Sequence, residues 1–188
     1  MAKFSVSYDA CVLYPAPLRD LLMQLALTDL FKARWTDQIH EEWIEALLRR
    51  NKYDRKILER TRALMDASVR DAKVFGYEEL IEGLALPDLG DRHVLAAAIK
   101  AGADAIVTFN LKDFPSDVLS NYGIEAIHPD EFIYCQIDLS PTIACEAIKR
   151  QRESLKNPPK EKNEFLAILQ KQQLPQTVSA LKTYIELI

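Results

Sequence analysis

The sequence predicts an α/β fold: a mostly parallel sheet of about five short strands in a three-layer α/β/α arrangement, followed by a helical appendage. Two observations predict it. Short stretches rich in β-branched and aromatic residues, at 3–8, 30–35, 72–75, 105–108 and 124–127, alternate with segments of helical periodicity, and that rhythm belongs to parallel strands joined by crossover helices. Beyond Asp138 the strands stop, and three helical segments follow, broken by Pro158-Pro159 and by Pro175. The sequence therefore divides into a first domain at 1–138, which carries the chemistry, and a helical extension at 139–188. With 188 residues, 48% of them hydrophobic, the chain can bury a full core.

KFSVSY (3–8) is the first strand and ends at Asp9. Taken alone, Asp9 reads equally well as a cap for the next turn. Pro15 and Pro17 start a helix in which Leu18, Leu21, Leu22, Leu25 and Ala26 recur at helical spacing. LFKARW (30–35) is a strand. Thr36 then caps a helix with Ile39, Trp43, Ala46 and Leu47 on its buried stripe. Glu42 lies beside that stripe and Glu41 about 100° round from it, so one is expected to face inward and the other solvent. Asp54 begins a helix running to about residue 70, with apolar positions at Ile57, Leu58, Leu64, Met65 and Val69. AKVF (72–75) reads as a strand and YEELIEGL as a short acidic helix.

The central stretch is LPDLGDRHVLAAAIKAGADAIVTFNLKDF (86–114). Asp88 and Asp91 open a helix that is apolar almost all round, Gly102 closes it, and AIVT is a short strand. Thr108, Asn110 and Asp113 follow. A helix buried along its body that presents acids at one end suits a charged site. IEAIH (124–128) is a further strand, and Pro129 opens the next helix.

Composition narrows the classes. No apolar run approaches the roughly 18 residues of a membrane span, and the N-terminus lacks the order of a signal peptide. Cys11, Cys135 and Cys145 stand at no metal spacing and suit reduced thiols, which predicts a cytoplasmic protein without a membrane partner. Net charge is -4, yet residues 49–62 carry Arg49, Arg50, Lys52, Arg55, Lys56, Arg60 and Arg62 against two acids. Residues 149–162 form a second basic run. Such stripes permit a nucleic-acid partner, although either run alone reads more readily as a solvated helix face.

Asp9, Glu42, Asp88, Asp91 and Asp113, with Asn110 as a neutral oxygen donor, come from different elements that this fold brings to the carboxyl edge of the sheet, where such sheets bind ligands. Carboxylates gathered in one cleft repel each other unless a cation sits among them. Hard oxygen donors without His or Cys partners select Mg²⁺ or Mn²⁺, and a bound metal can activate water toward phosphorus.

These residues resemble the PIN-domain ribonucleases, and among them the VapC-type toxins of type II toxin–antitoxin systems. The resemblance rests on SVSYDACVLYP with Asp9, TDQIHEE with Thr36 and Glu42, and LPDLGDRHVLAAAIKAGADAIVTFN with Asp91, Thr108 and Asn110. It covers about residues 3–135. It implies a PIN-like fold and metal-dependent endonuclease action on RNA, whether tRNA or mRNA. Asp9, Glu42 and Asp91 would be catalytic metal ligands, with Asp88, Asn110 and Asp113 as further metal donors. Arg92, Arg49, Arg50 and Lys52 would contact substrate phosphates. A cognate antitoxin and a homodimer are the implied partners. Cys11 and Asn110 depart from the family pattern, which often has Asn two residues after the first Asp and a fourth acid after the Thr. They motivate a second reading, a catalytically degenerate PIN-like module that binds RNA or protein. A phosphoacceptor receiver domain shares the rhythm but requires an acceptor Asp ending a mid-chain strand; the nearest candidate, Asp54, sits in a charged helical run. His93 reads as a surface residue, and Trp35 and Trp43 as core.

Overall fold

The computed structural model describes residues 3–50 and 53–188. By contacts the chain falls into two compact units, Met1–Tyr14 with Phe31–His128, and Pro15–Leu30 with Pro129–Ile188. In chain order the elements are β1 (Ser5–Tyr8), α1 (Ala10–Leu13), α2 (Ala16–Ala26), β2 (Lys32–Arg34), α3 (Asp37–Leu48), α4 (Arg55–Ser68), α5 (Glu78–Ile81), α6 (Arg92–Ala101), β3 (Ala105–Val107), α7 (Ser116–Leu119) and β4 (Glu125–Ile127), then α8 (Pro129–Leu139), α9 (Pro141–Ser154), α10 (Lys162–Lys171) and α11 (Pro175–Thr183).

The first unit contains the sheet, which runs β2-β1-β3-β4 and is parallel throughout. Val6 of β1 lies opposite both Ala33 and Ala105, so β1 and β3 sit at the centre. Every residue of both is buried, as expected for parallel strands covered by helices. The α/β class is as the sequence predicts, with one strand fewer among the described residues. At 72–75 the chain makes only a bridge, in which Trp35 N–H donates to the Ala72 carbonyl at 2.9 Å and Val74 N–H to that of Trp35 at 2.8 Å. Asp71 and Gly76 bracket this stretch at φ 58 and φ 69, left-handed values that end its extension on both sides.

The helices of this unit explain themselves locally. Thr36 Oγ1 accepts from Ile39 N–H at 3.1 Å and caps α3. Gly102, at φ 58, takes the left-handed position that closes α6. Buried Trp35 stacks on buried Tyr8 with centroids 6.2 Å apart. Along α4 the expected apolar face splits: Leu58 and Met65 are buried, whereas Ile57 and Leu64 are 61% and 58% exposed. Two of the basic residues of 49–62 are satisfied by acids. Arg55 pairs with Glu41, Glu45 and Glu59, and Arg62 with Asp37, Glu41 and Glu59. Beneath them His40 is fully buried, accepts at Nδ1 from Trp43 Nε1 (3.1 Å), and therefore donates from Nε2 to Asp66 (3.0 Å). Asp66 also accepts from Trp35 Nε1 at 2.8 Å.

In the second unit α2 packs on α9, α8 on α9 and α11, and α10 on α11. Helices α2 and α8 thus group with the tail rather than with the sheet. Ser140, at the N-cap of α9, makes no side-chain capping hydrogen bond. Buried Asp130 instead provides a cap at a distance, accepting from Gln176 N–H (2.9 Å) and Thr177 N–H (2.8 Å) in the first turn of α11. Among the described residues no helix is long and apolar enough to cross a membrane.

Candidate active site

Asp9 ends β1 at the point where β3 holds it. Its N–H donates to the Val107 carbonyl at 3.1 Å, extending the β1–β3 ladder by one rung. Its side chain is buried, with Asp9 4% exposed. Oδ2 accepts from Thr108 Oγ1 at 2.7 Å and from Cys11 Sγ at 3.0 Å. Among the described residues Oδ1 takes no hydrogen bond, so one oxygen is fixed and the other remains available. Thr108 is itself fixed, accepting from Asn110 N–H at 2.9 Å.

Cys11, a departure from the family pattern, is hydrogen-bonded on both sides: the thiol donates to Asp9 and accepts from Phe109 N–H at 3.3 Å. Burial, reinforced by the Asp9 charge, pushes the thiol far above its ordinary range. It therefore stays protonated and serves as a donor, not as a thiolate ligand.

Asp91 sits where a 3-10 turn (Leu89–Asp91) runs into α6. Asp88 shapes that turn, its Oδ1 accepting from Gly90 N–H at 2.7 Å. The Asp91 carboxyl is pushed up to about 6, first by burial, then by the negative charges of Asp9, Asp88, Asp113 and Glu42 in that order. Five acids from β1, α3, the turn before α6 and the turn after β3 therefore share one field. Asn110 opens the 3-10 turn Leu111–Asp113 and is half-buried, as is Asp113.

Glu42 projects from the middle of α3 with its side chain 41% exposed, and its Oε1 lies 2.6 Å from His93 Nε2 of α6. Glu41, one residue earlier, turns instead to Arg55 and Arg62. His93 is not the surface residue the sequence suggests; it is 2% exposed. Beside Glu42 opens a groove of about 280 Å³ lined by Ala10, Cys11, Tyr14, Glu42, Trp43 and Ala46. Arg50 covers the Tyr14 ring, its guanidinium 5.4 Å from the centroid. Arg49, seven residues after Glu42, falls on the same side of α3 about 10 Å further along. Arg92 donates from Nε to the Leu89 carbonyl at 3.1 Å and so braces the turn that carries Asp91. Lys52, the remaining expected phosphate contact, lies outside the described residues.

Among the described residues no group of three or more His, Cys, Asp or Glu side chains lies close enough together to hold a metal ion as placed. Carboxylates that share one field repel each other, and a divalent ion is the species that would offset that repulsion. The donors are hard carboxylate oxygens, with the nearby thiol protonated and engaged, so the set fits Mg²⁺ or Mn²⁺ rather than zinc.

Comparison with known proteins adds sequence relationships to this geometry. The PIN domain family matches residues 5–112, and the VapC50 C-terminal domain family matches residues 129–183. A Mycobacterium tuberculosis protein described as "putative ribonuclease VapC50" is 52% identical over 68 residues, which cover 36% of this chain and 40% of that relative. No solved structure matches the chain.

Proposed function

Because the chain belongs to the PIN-domain family, its PIN match spanning residues 5–112 of 188, we propose that it is a Mg²⁺- or Mn²⁺-dependent endoribonuclease and the toxin of a toxin–antitoxin pair. What supports this reading is that Asp9, Asp88, Asp113 and Glu42 lie near enough to Asp91 for their charges, added to its burial, to push its carboxyl up. Such a field is unfavourable to the protein alone and favourable to a divalent cation.

In this reading Asp9, Glu42 and Asp91 hold the metal, with Asp88, Asn110 and Asp113 as outer donors. When bound, the ion supplies charge neutralisation at the phosphate oxygens and lowers the pKa of a water. The protein's own contribution is positional. Thr108 and Cys11 fix Oδ2 of Asp9, which leaves Oδ1 for the ion. Asp88 and Arg92 set the turn that presents Asp91. Phosphates reach an acidic cleft only with cationic guidance, and Arg50, over the Tyr14 ring at the edge of the Glu42 groove, is near enough to give it. Arg49, Arg50, Lys52 and Arg92 take that role. All the acids named lie within 1–138, which is proposed as the nuclease portion, with 139–188 as its helical extension.

The antitoxin partner follows from charge: a basic side chain placed among these carboxylates would occupy the place of the ion. Exposed Ile57 and Leu64, seven apart on one face of α4, offer an apolar stripe for a second copy, which supports a homodimer. A cytoplasmic setting, where RNA and antitoxin both reside, belongs to the same reading.

The test is RNA cleavage by purified protein with Mn²⁺, with EDTA, and after Asp9→Asn. Cleavage that needs Mn²⁺ and is lost in the variant supports the reading. Equal cleavage in all three conditions removes it. RNA binding without any metal-dependent cleavage would favour the degenerate module, although the hydrogen bonds kept by Cys11 weigh against that alternative.

A further inference from the structure

We propose that His93 is a positioning residue that fixes the Glu42 carboxylate for metal binding, a role resting on the metal-site reading above. His93 is 2% exposed, yet neither ring nitrogen has a hydrogen-bond partner. Its Nε2 nevertheless lies 2.6 Å from Glu42 Oε1, a close polar contact that misses hydrogen-bond direction. A buried imidazole so placed needs a reason, because a polar ring without partners is costly to bury. The rest of its helix offers none: Val94, Leu95, Ala96, Ala97 and Ala98 are apolar and buried. The polar group that lies against it is Glu42, which projects from a different helix and is 41% exposed.

The arrangement couples two elements. Glu42 is long and half-solvated, and on its own its carboxylate samples several rotamers. The imidazole is locked by burial in α6, two residues after Asp91. One helix start therefore presents the Asp91 carboxylate directly and sets the Glu42 carboxylate through His93. Holding Oε1 leaves the other carboxylate oxygen for the ion. A small turn of the Glu42 carboxylate on metal binding would make this contact a hydrogen bond, the outer-shell relation that orients a ligating carboxylate and raises the affinity of a site.

The experiment measures Mn²⁺ affinity of the full chain by titration calorimetry, with bound Mn²⁺ followed independently by electron paramagnetic resonance. His93→Phe keeps the bulk and removes the donor; His93→Gln restores an N–H at similar reach. The Phe variant is expected to bind Mn²⁺ about 10–100-fold more weakly, and the Gln variant to recover most of that loss. In a Glu42→Gln background the Phe substitution should change affinity little, because its partner is already altered. Should the Phe variant not fold, His93→Met replaces it in both backgrounds. Unchanged affinity in the apolar variant overturns the proposal, as does an equal loss with and without Glu42. Wild-type protein that binds no Mn²⁺ overturns the underlying metal-site reading, and this role falls with it.

Discussion

Thr108 Oγ1 donates to Asp9 Oδ2 at 2.7 Å, joining residues 99 positions apart in the chain. The same hydroxyl accepts from Asn110 N–H, so it ties the end of β1 to the turn after β3. Thr108→Val keeps the shape and removes both roles. A hydrogen bond to a charged group contributes about 1.5–3 kcal/mol, and a loss of that size is expected in urea unfolding. Thr108→Ser should retain most of the stability. A Val variant as stable as wild type would show that this bond contributes nothing to folding.

The Cys11 thiol is pushed upward by burial and by the Asp9 charge, so its thiolate is scarce at any ordinary pH. Cys135 is exposed and Cys145 buried. Brief iodoacetamide treatment at pH 8 should therefore label Cys135 and spare Cys11, as read by peptide mass spectrometry. All three should react in denaturant. Rapid native labelling of Cys11 would contradict its place as a donor to Asp9.

Asp91 carries the clearest pH signature. Its folded value is raised from 3.8 to about 6, so between those values the unfolded chain releases a proton that the folded chain keeps. Stability of the metal-free protein should therefore fall as pH rises through this window. Asp91→Asn removes the repulsion and should stabilise the metal-free protein at pH 7 by roughly 1 kcal/mol, the full shift being discounted for the half-exposed position. At pH 4, where Asp91 is protonated in the folded protein, the advantage should vanish. Thermal melts of both proteins in EDTA at the two pH values check this.

Asp66 accepts from both Trp35 Nε1 and His40 Nε2. Asp66→Ala leaves two largely buried donors without that acceptor, at a cost of about 2–4 kcal/mol. His40 is also depressed below its ordinary value, chiefly by burial. The unfolded chain then protonates first, and His40 contributes a loss of stability as pH falls below about 6.5. His40→Gln should flatten that part of the profile in denaturant titrations.

The legible parts of this molecule were those encoded locally. Asp9 at a strand end, Thr36 as a cap and Gly102 as a closing residue each declare themselves through neighbours in sequence, and each is found in its expected place. What escaped depends on partners far away. His93 has the sequence context of a helix start, and only packing buries it against Glu42. Arg55 and Arg62 read as a basic stripe, and beyond Glu59 of their own helix it is the approach of α3 that supplies their acids. The stretch at 72–75 has strand composition, but left-handed Asp71 and Gly76 confine it to a bridge. Ile57 and Leu64 look like core by type, and their exposure is set by which side of α4 meets the unit.

The sheet order β2-β1-β3-β4 carries a consequence for biosynthesis. β1 emerges from the ribosome first, but its second neighbour, β3, is translated only by Val107. A tethered nascent chain ending between α3 and β3 already contains Asp9 and Glu42, yet has neither the rung from the Val107 carbonyl nor the Thr108 hydroxyl to set Asp9. Growing chains that stop short of Thr108 thus hold ingredients of the proposed cleft without its assembly, and the site is completed only once β3 and Thr108 have cleared the exit tunnel.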